Sequence, residues 1–211
     1  MRGRVERERG WVDGFLFVGN QTALDLLNTK LVKDGEPLEL LPDSMALERW
    51  LIAADILPDK EAQALARRWR GSREVGRFLS ELLAFRERLR AAVLRLEAGK
   101  TVPAEIIAEL NRHLLQHPVR HALSLKGRRV ERGVVLEPRS PQELWAPIAA
   151  VAAELLADVE PSRVRKCDSC VAHFLDVSKK GSRRWCSMNL CGNKLKVAAY
   201  QRRQRAVARR P

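Results

Sequence analysis

A chain of 211 residues with 39 Lys and Arg against 26 Asp and Glu carries a formal charge of +13. Its 45% apolar content is enough for a genuine core in one or two domains. No apolar run approaches the roughly 20 residues that cross a bilayer, which excludes a helical membrane span.

The opening MRGRVERERG is charged and ends on glycine, so residues 1–12 are expected to form a flexible arm. It lacks the apolar centre of a signal peptide, which points to the cytoplasm. Phe15-Leu16-Phe17-Val18, stopped by Gly19-Asn20, predicts a strand or the entry to a helix. Leu24, Leu27 and Leu31 then recur at helical spacing and leave Asp25 and Asn28 together on a neighbouring face. Asp43-Ser44 caps a helix carrying Met45, Leu47, Trp50 and Leu51, and Pro58 opens another with Ala62, Leu65, Ala66 and Trp69.

The strongest helical pattern runs from about Arg73 to Ala98. Phe78, Leu82, Phe85, Leu89, Ala92, Val93 and Leu96 form its stripe, and Gly99 is its stop. Its polar side carries Arg77, Arg86, Glu87, Arg88 and Arg90, expected to stand mostly in solvent. Pro103 starts a further helix that ends before His117-Pro118, because a residue ahead of proline avoids the helical region. His113 and His117 are four apart, but HLLQH lacks the glutamate of the metalloprotease motif, so both read as helix-end histidines. Segments 119–125 and 130–136 alternate around Lys126-Gly127-Arg128-Arg129, a β-hairpin signal. Ser140-Pro141-Gln142-Glu143 reads as a capping box for a last helix, and Asp158 to Ser162 as a boundary. Residues 13–160 are thus expected to form one mainly α domain with a β-hairpin, an α+β unit.

All four cysteines follow, spaced C-x2-C-x15-C-x4-C at Cys167, Cys170, Cys186 and Cys191. Two close pairs joined by a short connection are what a tetrahedral zinc site requires, and four thiolates would make that zinc structural. His173 is expected to be a packed or hydrogen-bonded side chain and not a ligand. Phe174 to Val177 and Arg183 to Cys186 flank a Ser-Lys-Lys-Gly-Ser turn, a strand–turn–strand pattern. From about Ser187 the spacing of Leu190, Lys194, Val197 and Gln201 is helical, with Cys191 in the first turn. Knuckle, hairpin and helix together predict a treble-clef-like finger over 163–211.

The charge lies on that finger. Residues 163–211 hold fourteen Lys and Arg against Asp168 and Asp176, a net of +12 out of +13. A basic excess confined to a small zinc module, with Trp185 and Tyr200 beside it, points to nucleic acid. Arg183, Arg184, Lys194, Lys196, Arg202, Arg203 and Arg205 are the candidate phosphate contacts. Asn193 is expected to buttress the knuckle from the first helical turn.

Cys191-Gly192-Asn193-Lys194, preceded by Gly181-Ser182-Arg183-Arg184-Trp185-Cys186, resembles the CGNR zinc finger of bacterial proteins. Trp185, Gly192 and Asn193 are the motif-supporting positions, and Lys194 replaces the final arginine, which keeps the charge but loses a planar bidentate fork. Gly-x-x-x-Ala-Leu-Asp-Leu-Leu-Asn-Thr from Gly19 resembles the opening signature of the ABATE domain, whose description points to stress-induced transcription regulation. That signature commonly has a second glycine where this chain has Asn20. The resemblance implies a sensing role for the amino-terminal domain. A pocket for a small anionic ligand, lined by Asn28 and Arg86, is the corresponding expectation.

Three readings stand open on the sequence. The chain can be a DNA-binding transcription regulator, an RNA-binding or ribosome-associated protein, or a small-molecule binder or enzyme with an accessory finger. No Gly-rich phosphate loop, nucleophile elbow or spare cysteine supports catalysis, so an enzyme is not expected. Oligomeric state is open, with a homo-oligomer one option.

Overall fold

The computed structural model describes residues 10–33, 35–57, 60–136 and 139–193. Its spine is the long helix that the apolar stripe foretells, and we number helices and strands along the chain. β1 (Gly10–Val12) and β2 (Phe15–Phe17) form a hairpin, followed by the short helix α1 (Thr22–Leu27). β3 (Lys30–Lys33) and β4 (Glu36–Glu39) form a second hairpin, and α2 (Ser44–Ala53) and α3 (Lys60–Trp69) follow it. The spine is α4 (Arg73–Glu97), then come α5 (Ala104–Gln116), the hairpin β5 (Arg120–Lys126)–β6 (Arg129–Val135), and α6 (Trp145–Ala157). A last antiparallel pair, β7 (Val164–Lys166) and β8 (His173–Leu175), begins the cysteine-rich segment.

The Ser72 hydroxyl accepts from the Val75 amide at 3.2 Å to start α4, and Gly99 at φ 67° takes the left-handed turn that ends it. Between them Phe78, Leu82, Phe85, Leu89, Ala92 and Val93 are all buried. α6 crosses this stripe through Trp145, whose ring meets Phe78 and Phe85 edge-on, with centroids 5.5 and 5.2 Å away, and stacks on His113 of α5 at 4.0 Å. Full burial of each such side chain contributes about 1.5–3 kcal/mol, and truncating either ring of the Phe85–Trp145 contact to alanine should cost about 3–5 kcal/mol.

Several expectations are corrected here. Gly10–Val12 is not part of a free arm but pairs with β2, in register Gly10↔Phe17. Leu31 does not continue α1; it lies in β3, opposite Leu38. The amino-terminal segment therefore has three hairpins, where alternation in the sequence predicts only β5–β6. Ser140 makes no side-chain cap; the Glu143 carboxylate instead accepts from the Arg139 amide at 3.1 Å, and a 3-10 turn, Pro141–Leu144, leads into α6. Pro58 lies outside the described residues, as do residues 1–9. Among the described residues no helix is long and apolar enough to cross a membrane.

Candidate metal centre and nucleic-acid interface

The first cysteine pair sits in the connection between β7 and β8, so the hairpin flanks the knuckle. This differs from the expected strand–turn–strand between the two pairs: Phe174 and Leu175 do form a strand, but Arg183 to Cys186 is a loop. The Cys167 amide donates to the Ala172 carbonyl at 2.8 Å, and Val171 takes φ 57° to turn the chain back. A β-branched residue there is strained by about 1–2 kcal/mol, a cost that the knuckle must offset. The second pair is set by Ser187, whose hydroxyl accepts from the Leu190 amide and whose carbonyl accepts from Cys191 and Gly192. This wide helical turn, Met188–Gly192, packs Gly192 closely: a Cβ there would lie 2.6 Å from Met188 Sδ, so that flexible side chain would have to swing aside, and 3.4 Å from the Trp185 ring.

The four sulfurs lie within 4.8 Å of one another, with Cys170–Cys186 at 3.5 Å and Cys186–Cys191 at 3.7 Å. Zinc–sulfur bonds of about 2.3 Å give a tetrahedron with edges of about 3.8 Å, so the donor set fits the ion. The crowding itself calls for a dication. Hydrogen bonds from Cys170 and Cys186 hold Cys167 far down as a thiolate, and that thiolate pushes Cys170 up to about 12, with burial adding to it. Cys186 is driven up by the same two neighbours. Cys170 and Cys186, which resist ionisation beside the Cys167 thiolate, become thiolates together with it only around a metal. Cys167, Cys170, Cys186 and Cys191 hold one structural zinc.

This centre is docked on the amino-terminal segment. β7 covers one edge of β8, and Gly19 to Asn28 covers the other. The Asn28 amide donates to the His173 carbonyl at 2.9 Å and accepts from the His173 amide at 2.8 Å. Two residues on, the Leu175 amide donates to the Gly19 carbonyl at 2.8 Å, and Asn20 Nδ2 donates to the Leu175 carbonyl at 3.0 Å. Every outward backbone group of His173 and Leu175 is thereby satisfied, as in a sheet. Asn20 does this from φ 54°, a conformation that suits glycine or asparagine, and only asparagine also brings an amide. Gly19 cannot carry a side chain, because a Cβ would stand 2.8 Å from the Asp25 carboxylate that accepts its amide.

His173 is buried, with Nδ1 2.8 Å from Glu97 at the end of α4. Beneath the knuckle, Leu16, Val18 and Leu31 share one apolar cluster with Cys167, Ala172, Phe174, Cys186 and Cys191. The metal centre and the first two hairpins thus have a core in common.

The expected anion pocket is corrected by the same geometry. Asn28 is spent on β8, and Arg86 is 1% exposed and fully engaged. Its guanidinium grips Glu39 with two hydrogen bonds (2.8 and 2.5 Å), Thr29 Oγ1 at 2.8 Å and Glu87 at 3.0 Å. Burial alone would raise Glu39, but its bond to Arg86 holds it below the usual carboxylate range. Cavities described in the structure lie elsewhere, one of about 300 Å³ being lined by Gln116 to Arg120, Val134 to Leu136 and Ala146.

The cations of the finger divide into two sets. Arg163 donates to the Asp176 and Ser178 carbonyls, Arg165 to Gly181, and Arg183 to Cys186. Arg183 also lies over the Phe174 ring, 5.1 Å from its centroid. These three hold the loop after β8 together around the buried Asp176, which accepts from the Ser178 and Arg183 amides at 2.9 and 2.8 Å. Arg183 is therefore corrected from a phosphate contact to a brace. Arg184 is exposed, pairs with Asp168 at 2.8 Å and lies over Trp185. Lys166, Lys179 and Lys180 are exposed as well, three cations that sequence reasoning passed over because they sit outside the motif. Asn193 is exposed, and its backbone amide donates to Met188; its side chain buttresses nothing among the described residues. Lys194, Lys196, Arg202, Arg203 and Arg205 lie outside the described residues, as does Tyr200.

Compared with known families, residues 20–159 match the model of ABATE, described as "Putative stress-induced transcription regulator", and residues 163–204 match that of the CGNR zinc finger. No curated protein matches the chain.

Proposed function

We propose that this chain, which belongs to the ABATE family through residues 20–159 and carries a CGNR zinc finger behind it, is a zinc-dependent DNA-binding regulator of transcription acting in the cytoplasm. The observation that carries this is the charge partition: +12 of the +13 lies in 163–211, on a module that zinc holds rigid. Phosphate contacts supply sequence-independent affinity, and exposed Lys166, Lys179, Lys180 and Arg184 are the described groups placed to make them. The exposed Asn193 amide, which has no side-chain partner among the described residues, can meet a base edge, a contact that lysines cannot make with the same selectivity. The amino-terminal domain acts as the mount that fixes the finger's orientation, and through the Asn28 contact it can pass its own state to the finger. No catalytic step is part of this function.

The test is titration of the zinc-loaded protein into labelled mixed-sequence DNA and RNA duplexes over a range of salt. Engagement of about five to seven cations gives a slope of roughly −4 to −6 for log affinity against log salt. Asn193→Ala should leave that slope and the melting temperature unchanged while relaxing the preference found by sequence selection. Binding insensitive to salt refutes the proposal, and tighter binding to RNA than to DNA moves it to the ribosome-associated reading.

A further inference from the structure

The hairpin β5–β6 stands apart from every other element. Its register runs Arg120↔Val135 to Lys126↔Arg129, closed by a two-residue turn in which Gly127 takes φ 61°. Its paired positions are exposed almost throughout; only at the root do Arg120, Val134 and Val135 line a cavity with Ala146 and Pro147. Alternation makes the faces unlike. One is largely apolar, with Leu123, Leu125, Val130 and Val134 each more than half exposed, and it also carries His121 at the root and Arg132 opposite Leu123. On the other, the small pair Ala122–Gly133 and the pair Ser124–Glu131 lie between Arg120 at the root and Lys126 and Arg129 at the tip, with Glu131 3.0 Å from Lys126. Residues 119–136 hold Arg120, Lys126, Arg128, Arg129 and Arg132 against Glu131 alone, a net of +4, while the whole of 1–162 is only +1.

A lone two-stranded ribbon is marginal in water, and an apolar face left open needs an occupant. A second copy is a poor one. Two such hairpins would bring like charges together, and a face of two seven-residue strands spans only about 24 by 10 Å. Stacked face to face they would bury on the order of 500 Å², well short of the roughly 1,200 Å² of a stable interface.

We infer that β5–β6 is a second nucleic-acid contact, a basic ribbon that enters a groove of the same duplex that the zinc finger holds. Charge complementarity selects a polyanion, and a two-stranded ribbon matches the roughly 12 Å major groove. Laid in the groove, the apolar face meets sugars and thymine methyls on the floor, while Arg128 and Arg129 at the tip reach phosphates on the wall. The ribbon leaves the body at the α6 end of the contact with Phe85, whereas the finger meets Glu97 at the far end of α4. Twelve residues of helix, about 18 Å, separate these two anchor points along α4.

This rests on the DNA-binding reading, and one set of titrations separates the two. Full-length zinc-loaded protein and its Arg128→Gln/Arg129→Gln variant are titrated against a mixed-sequence duplex at several salt concentrations. The variant should lose about two units of salt slope and bind about 10- to 100-fold more weakly near 0.1 M salt, with an unchanged melting curve. Leu123→Ser/Leu125→Ser should weaken binding at constant slope. Wild-type protein that does not bind the duplex overturns both readings. Binding whose slope the tip variant leaves intact overturns only the ribbon. If the leucine variant then dissolves a dimer seen by light scattering, the face belongs to a second copy. If the tip variant instead abolishes capture on anionic vesicles, the ribbon is a membrane arm.

Discussion

Replacing Asn28 with Ala tests the docking of the finger directly. The substitution removes a donor and an acceptor at once and leaves the buried His173 amide and carbonyl facing apolar surroundings. Each unsatisfied buried group costs about 1–3 kcal/mol, and with some relaxation by water the pair comes to about 3 kcal/mol. For a domain of this size that is a fall of about 6–12 °C in melting temperature. The loss should also be visible at the metal. A finger with one edge of β8 unpaired opens more often, so zinc should pass to a chromogenic chelator at least several-fold faster. Asn28→Asp keeps the acceptor but sets an anion against the His173 carbonyl, and it should be no better than alanine. A melting temperature within about 1 °C of wild type, with unchanged zinc release, would show that Asn28 is an ordinary helix-end residue and that the docking carries no energy.

Zinc removal should disturb more than the finger: because Leu16, Val18 and Leu31 pack on the cysteines, hydrogen exchange in β2 and β3 should speed up on chelation. Unchanged protection there would mean two independent cores. Arg183→Ala and Arg184→Ala should part company. The first should lower finger stability by about 1–2 kcal/mol through its lost carbonyl bond and ring contact, read by thermal melting. The second should leave the melt unchanged and take about one unit from the salt slope of DNA binding, since its pair with Asp168 is solvent-exposed. Glu39→Gln should cost about 1–2 kcal/mol at neutral pH, discounted because Glu39 is a third exposed. Its folded-state pKa is depressed, so the contribution is present above the ordinary value of 4.5 and lost as pH falls through the lower one. The gap between wild type and variant in urea midpoints should therefore close in acid, and a gap constant down to pH 3 would refute the assignment.

What could be read from the sequence was what local periodicity or ligand spacing encodes. The stripe of α4, the turn at Gly127 and the two cysteine pairs each carry their geometry within a few residues. The rest depended on partners distant in the chain. Arg86 reads as a solvated charge because nothing near it announces Glu39, 47 residues away, which receives its guanidinium. β3 and β4 were missed because Lys30 to Lys33 and Glu36 to Glu39 put charges at both ends of strands only four residues long. Asn28 stands out in the sequence, but its partners are the backbone groups of His173 and not a ligand. An asparagine on an apolar helix signals a buried amide with partners, but it does not say whether they belong to a ligand or to a segment 145 residues on.

The shared core also bears on inheritance. A zinc finger that folds alone can be cut from one gene and joined to another, and so spread among unrelated proteins. Here a break between the two family matches, 20–159 and 163–204, would strand Leu16 and Val18 on one fragment and Phe174 on the other. Each half would carry a bare apolar face and, along β8 or at Asn28, backbone or amide groups with nothing to bond. Fragments of that kind aggregate or are degraded before any new function can be selected. The pair should therefore descend as a unit, and substitutions at Asn20 or Asn28 should be tolerated only alongside changes around His173 and Leu175.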